Sequence, residues 1–137
     1  MKLLIDSNII LDALMNRERW ASPAQQLLLK VAEEKVEGYI TASTITDLYY
    51  ILRKHYQDTG KTRNALRSLI KSVFILDVNS SDCEKAFTLD IADYEDALLV
   101  SCAYRHKMDH IVSRNLKDFP NSLISVVGAE EILSKIT

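Results

Sequence analysis

The chain opens Met1-Lys-Leu-Leu-Ile-Asp-Ser-Asn-Ile-Ile-Leu-Asp12. Leu3, Leu4 and Ile5 make a short apolar strand, Asp6 ends it, and Ser7-Asn8 opens an apolar helix over Ile9 to Leu14. A parallel strand that delivers a carboxylate at its C-terminal end, beside a helix start, sits where open α/β sheets bind ligands. If the segments that follow repeat this strand-then-helix order, the chain builds a parallel sheet covered by helices.

The pattern repeats. Ser22-Pro23 starts a second helix, with serine as cap and proline at the first helical position. It runs to Lys35, and Gly38 is read as its stop. Tyr39 to Ala42 is a second strand. Ser43 or Thr44 caps a third helix whose apolar stripe is Ile45, Leu48, Tyr49, Leu52 and Tyr56, and Gly60 breaks it. A fourth helix covers Lys61 to Lys71, and Val73 to Leu76 is the third strand. Asn79 caps a fifth helix and Asp93 starts a sixth, small or apolar almost all round and so expected to be the most buried. His110 to Val112 is the fourth strand, Ser113 to Pro120 a polar loop, Ile124 to Val127 the last strand and Glu130 to Lys135 a terminal helix. The expected fold is a single domain over residues 1–137: a three-layer α/β/α sandwich with a mostly parallel central sheet of four or five strands.

Bulk composition excludes several classes. At 47% hydrophobic and 26% charged the chain is neither disordered nor low-complexity. A net charge of −2 excludes a generic basic coat for nucleic acid. Cys83 and Cys102 lack ligand spacing and read as core thiols, which argues against a zinc site. His55, His106 and His110 match no Ser/Asp arrangement, and there is no Gly-x-Ser-x-Gly, Gly-rich phosphate loop or dinucleotide fingerprint. No signal peptide is visible and no apolar stretch reaches membrane length, so a cytoplasmic location without membrane contact is expected.

Carboxylates recur at element boundaries: Asp6 after the first strand, Asp47 early in the third helix, Asp93 and Asp96 at the start of the sixth, and Asp118 after the fourth strand. In a right-handed parallel sheet these positions share one edge. Each has a plain alternative, because Thr44 to Asp47, Asp93 to Asp96 and Asn115 to Asp118 all have capping-box spacing. Asn79 to Asp82 has it too, and Asp82 is assigned to capping alone. Two features favour a site. Asp96 leads directly into the most apolar helix, and Asp6 has no basic neighbour in the first sixteen residues except Lys2. Clustered carboxylates raise one another's pKa unless a cation lies between them, and oxygen-only ligands suit Mg²⁺ or Mn²⁺. Phosphodiester hydrolysis is the chemistry such a site does best, with Ser113 and Asn115 as neutral donors beside it.

Charge patterning points the same way. Residues 53–71 carry Arg53, Lys54, Lys61, Arg63, Arg67 and Lys71 against Asp58, a local +5, whereas 77–96 hold seven acids against Lys85, a local −6. Arg17, Arg53, Lys54, Arg63, Arg67, Arg114 and Lys117 are the candidate contacts to the backbone of a polyanionic substrate. A plain solvated helix face explains the 61–71 run equally well. Tyr50 and Trp20 are candidates for stacking on bases or for facing a protein partner.

Taken together, Leu4-Ile-Asp6-Ser-Asn8, Ala42-Ser-Thr-Ile-Thr-Asp47, Asp93-Tyr-Glu-Asp96-Ala97 and Ile111-Val-Ser-Arg-Asn115-Leu-Lys-Asp118-Phe119 resemble the PIN-domain ribonucleases, most of all the VapC-like toxins of prokaryotic toxin–antitoxin pairs. The resemblance implies a Mg²⁺- or Mn²⁺-dependent endoribonuclease. It implies catalytic roles for Asp6, Asp47, Asp96 and Asn115, and metal ligation by Asp6, Asp96 and Asp47 with Asp118 or Asp93 assisting. Asn8 and Ser113 match supporting positions. Asp47 stands where the family usually has Glu, and Asn115 is neutral where the family has Asp or Asn. The resemblance further implies a homodimer, an RNA substrate and a cognate antitoxin, with the apolar surface of the second to fourth helices serving those contacts. Two competing readings are a non-catalytic PIN-like RNA- or protein-binding domain and a small phosphotransfer or phosphatase domain. The latter wants a second acid where Asn8 stands.

Overall fold

The structure is a computed structural model that describes residues 1–136. Its elements run β1 (Lys2–Ile5), α1 (Ser7–Leu14), α2 (Ala21–Ala32), β2 (Glu37–Thr41), α3 (Ala42–Tyr56), α4 (Thr59–Ile70), β3 (Phe74–Leu76), α5 (Ser80–Ala86), α6 (Tyr94–Arg105), β4 (His110–Val112), a 3₁₀ turn (Leu116–Asp118), β5 (Ser125–Val127) and α7 (Ala129–Leu133). The five strands lie in the order β3-β2-β1-β4-β5, and every pair is parallel. This is the expected three-layer α/β/α sandwich.

β1 is central, and Leu3, Leu4 and Ile5 face alternate sides while all three are buried. Leu3 and Ile5 join the core made with α1, α2, α3, α4 and α7. Leu4 joins the second core, made with α5, α6 and Ile111. That double burial is why the strand reads as an unbroken apolar run. α6 contributes Ala97, Leu99, Val100, Ser101, Cys102 and Ala103 to the interior, as its sequence requires.

Several boundaries differ from the sequence reading. α2 starts at Ala21 with Trp20 as its N-cap, so Ser22 caps nothing and Pro23 is the third helical residue. Gly38 does not stop a helix; it lies inside β2, and α2 ends earlier, where Glu34 takes φ 60°. A Cβ at Gly38 would stand 2.8 Å from both Val31 methyls and 3.2 Å from Ile5 Cδ1, so glycine is required by the close pass of α2 over the sheet. Gly38→Ala is expected to cost about 1–3 kcal/mol through overpacking, read as a lowered thermal midpoint. Gly60 lies within α4, and α3 instead ends at Gln57 in the left-handed region, φ 53°. The cap of α3 is Thr41, whose hydroxyl accepts from the Thr44 amide at 3.3 Å, not Ser43 or Thr44.

Asp82 forms the expected capping box with Asn79 but does more. It is 2% exposed and takes Arg105 Nε at 2.7 Å and Nη2 at 2.9 Å. Burial alone would raise its carboxyl, yet Arg105 and the Asn79 amide overcome that and hold it below the ordinary range. This pair ties α6 to α5, and Arg105 also reaches Asp77 after β3 at 3.0 Å. Among the described residues no helix is long and apolar enough to cross a membrane.

Candidate active site

Chain order reverses between β1 and β4: β2 and β3 lie to one side of β1, β4 and β5 to the other. The C-terminal ends of β1 and β4 therefore flank the crevice where such sheets place ligands. β1 delivers Asp6 there, and β4 delivers Ser113, fully buried, whose hydroxyl donates to Asp6 Oδ2 at 2.8 Å. Asp6 is the N-cap residue of α1, but its side chain makes no cap hydrogen bond of standard geometry. The amide of Asn115 donates to Ser113 Oγ at 3.3 Å, tying the loop after β4 to the same point.

Around this pair lies a cavity of about 490 Å³. Six carboxylates line it: Asp6, Asp47, Asp93, Glu95, Asp96 and Asp118. Asn8, Ser113 and Asn115 line it too, so every candidate catalytic, ligand and supporting residue is brought together there. No Lys, Arg or His is among the lining residues.

The capping alternatives separate at this point. Since Thr41 caps α3, Asp47 lies beyond the first turn and owes no hydrogen bond to the helix end. Asn115 makes no side-chain cap to the 3₁₀ turn, which leaves its amide group and Asp118 outside a capping box. Asp93 does cap α6, accepting from the Asp96 amide at 3.0 Å, but nothing is returned by the Asp96 side chain. Asp96 is thus positioned by a cap without serving as one.

The electrostatics follow from crowding. Burial, followed by the charges of Asp6, Asp93 and Asp118, pushes the Asp96 carboxyl up to about 7. A hydrogen bond shared with Asp47, then burial, then the charges of Asp47, Asp93 and Asp6, pushes Glu95 up to about 7. Burial raises Asp6 as well, against the opposing hydrogen bonds from Ser113, Ser7 and the Asn8 amide. Three acids from β1 and α6 therefore hold their protons more tightly than free carboxyls, and each is short of positive charge.

Glu95 escaped the sequence reading. Its only signal was adjacency to Asp96 in the first turn of a buried helix. The hydroxyls of Ser7, Thr41, Ser43 and Thr44 escaped as well, and all four line the cavity. The candidate cations lie outside it. Arg53 and Lys54 line a shallow neighbouring groove of about 620 Å³, joined to the cavity by Tyr50 and Ile51. Arg63, Arg67 and Lys117 are exposed elsewhere. Arg17 and Arg114 each reach Asp12, 1% exposed within α1, at 3.3 and 3.2 Å. Trp20 carries the guanidiniums of Arg19 and Arg114 against its ring, 4.6 and 4.8 Å from the centroid.

Comparison with known proteins agrees with this architecture. A chain of the toxin–antitoxin complex from Klebsiella pneumoniae is 25% identical, with TM-score 0.68 over 93% of this chain and 97% of that one. A chain of the DNA-bound VapBC complex from Salmonella typhimurium matches with TM-score 0.71 at 14% identity, covering 94% of this chain and 98% of that one. A chain of VapBC2 from Rickettsia felis, bound to a fragment of promoter DNA, matches with TM-score 0.70 at 17% identity, covering 93% and 97%. No curated protein sequence matches the chain. The sequence model of the PIN domain matches residues 2–117, which include all six cavity acids except Asp118. Five parallel strands around a switch point, acids gathered at its mouth and that match over most of the length place this chain in the PIN-domain family.

Proposed function

We propose that the chain is a metal-dependent endoribonuclease and the toxin of a toxin–antitoxin pair. The observation that carries the reading is the single cavity at the switch point, with six carboxylates and no cation. Family membership and the toxin–antitoxin complexes among the structural neighbours support it. Among the described residues no three His, Cys, Asp or Glu side chains already form a metal shell. The donor chemistry nonetheless fits a hard divalent cation: carboxylate, amide and hydroxyl oxygens only, with a local deficit of positive charge. Asp6, Asp96 and Asp47 would hold Mg²⁺ or Mn²⁺, with Asp93 and Asp118 at the edge. Bound there, the ion would supply Lewis-acid charge stabilisation and an activated water at neutral pH.

The chain's own groups do the rest. Ser113 fixes Asp6 Oδ2 by its 2.8 Å hydrogen bond. Asn8 and Asn115 offer neutral donors to a phosphate without adding charge to an already acidic pocket. Glu95, pushed up to about 7 first by its hydrogen bond with Asp47, lies within the cavity as a proton donor to a leaving oxygen. Side chains of Leu29 on α2, Tyr50 and Ile51 on α3 and Ile70 on α4 are exposed apolar surface of the kind a second copy or an antitoxin would cover.

The test is direct. Purified protein with Mn²⁺ is expected to cut RNA, and the same protein in chelator is expected to leave it intact. RNA left uncut together with a flat calorimetric Mn²⁺ titration would sink the reading. That result would favour the second one, a non-catalytic RNA- or protein-binding PIN domain, for which the short Asp47 and the neutral Asn115 speak.

A further inference from the structure

The acidic cavity poses a problem for any polyanionic substrate. It presents six carboxylates and no cationic side chain, so cationic phosphate contacts must come from outside it. On the other side of the loop after β4 lies a second cavity of about 410 Å³, and Ser113 lines both. Its walls include Asp12, Arg19, Trp20, Arg114 and Glu130.

This second cavity is organised around a buried charge. Asp12 is 1% exposed and sits in a run of apolar residues on α1. Its Oδ1 takes Arg17 Nη1 at 3.3 Å and Arg114 Nη1 at 3.2 Å, while its buried Oδ2 has no hydrogen-bond partner among the described residues. A carboxylate with one oxygen left unsatisfied is a poor source of stability. It is a good anchor: it fixes two guanidiniums from beneath. Trp20 fixes Arg114 a second time, and Arg19 with it, through contacts of 4.8 and 4.6 Å to the ring centroid. Arg114 is therefore held on two sides before any ligand arrives, in contrast to exposed Arg53 and Lys54 on α3. Preorganised guanidiniums lose little freedom on binding phosphate.

We propose that Arg114 and Arg19, braced by Asp12 and Trp20, form a cradle for a backbone phosphate of the RNA strand next to the one held in the acidic cavity. The proposal rests on the nuclease reading and adds to it a path for the strand, which leaves the mouth of the site over the loop at Asn115 and Arg114 and enters the second cavity. Asp12 and Trp20 are positioning residues in this arrangement, and Glu130 is an opposing charge at its edge.

The experiment measures binding of a fluorescent, non-cleavable single-stranded RNA by anisotropy, in chelator, over a range of salt. Arg114→Gln is expected to weaken binding about tenfold and flatten the log–log salt slope by roughly 0.7, the value for one phosphate contact on a single strand. Trp20→Leu removes no charge, yet is expected to weaken binding about threefold, because the guanidiniums lose their brace. Glu130→Gln is expected to tighten it. Lys71→Gln, an exposed charge at the opposite edge of the sheet, serves as the control, and circular dichroism checks each fold. The proposal is overturned if Arg114→Gln and Trp20→Leu both bind as the control does, which is also the outcome if the cradle takes an acidic peptide and not RNA. Metal-dependent cleavage by the unaltered protein is assayed in parallel. Cleavage that survives while the variants bind normally discards the cradle alone; absence of both binding and cleavage discards the nuclease reading with it.

Discussion

Asp6→Asn is expected to remove Mn²⁺-supported RNA cleavage, a loss on the order of a thousandfold or more in single-turnover rate, with the fold intact. Asparagine keeps the size of the side chain and an acceptor for the Ser113 hydroxyl, which donates to Asp6 at 2.8 Å. What disappears is the charge at the end of the central strand, where the switch point gathers five other carboxylates. Asp96→Asn is expected to do the same from the opposite wall. Ser113→Ala supplies the graded comparison. It leaves every carboxylate in place and frees Asp6 to turn, so about a 10- to 100-fold loss is expected, the size typical of groups that orient a metal ligand. Calorimetry separates the two cases. Asp6→Asn should abolish Mn²⁺ binding, whereas Ser113→Ala should only weaken it. An Asp6→Asn enzyme that cuts RNA at the unaltered rate would show that the acidic cavity does not carry the chemistry.

The sequence made the centre of the fold legible because the physics there is local. Leu3 to Ile5 is apolar on both faces, so it had to be an inner parallel strand, and a carboxylate directly after such a strand has one edge to occupy. Asp47, Asp93, Asp96 and Asp118 followed from the same handedness rule, and the structure does line one cavity with them. The misreadings came where a tertiary neighbour decides. Gly38 carries the local signature of a helix stop, but its reason is Val31, seven residues back and packed on top of it. Among Thr41, Ser43 and Thr44 any hydroxyl could cap α3. The length of β2, set by pairing with β1 and β3, selects Thr41, and that choice frees Asp47 from the helix end. Glu95 could not be found by boundary logic at all, because its place in the cavity depends on how α6 is rotated about its axis. Asp12 gave a readable hint, an acid within an apolar run, but its arginine partners come from a loop five residues on and from another 102 residues away.

The crowding of the cavity makes the stability of the metal-free protein fall as pH rises, and Mn²⁺ should reverse that trend. Asp96 and Glu95 both titrate near 7 in the folded chain, raised by burial, by the Asp47–Glu95 hydrogen bond and by the surrounding acids. In the unfolded chain they titrate at about 4. Between those values the folded state holds protons that the unfolded state has released, so stability decreases with pH across the window and levels off above about 7 to 8. Asp82 works in the opposite sense, since Arg105 lowers its carboxyl; its contribution is complete above about pH 4 and does not vary in the window that matters here. The metal-free thermal midpoint is therefore expected to be higher at pH 5.5 than at pH 8, by about 5 °C. A divalent ion needs the carboxylates ionised, so it competes with those protons, and the rise in midpoint produced by Mn²⁺ should be larger at pH 8 than at pH 5.5. Asp96→Asn tests both halves at once. It removes one repelling charge, so the metal-free variant should melt higher than the unaltered protein at pH 8, and it removes one ligand, so Mn²⁺ should no longer shift it. A metal-free midpoint that climbs from pH 5.5 to 8, or an Asp96→Asn variant that still gains from Mn²⁺, would mean that these acids neither crowd one another nor share an ion.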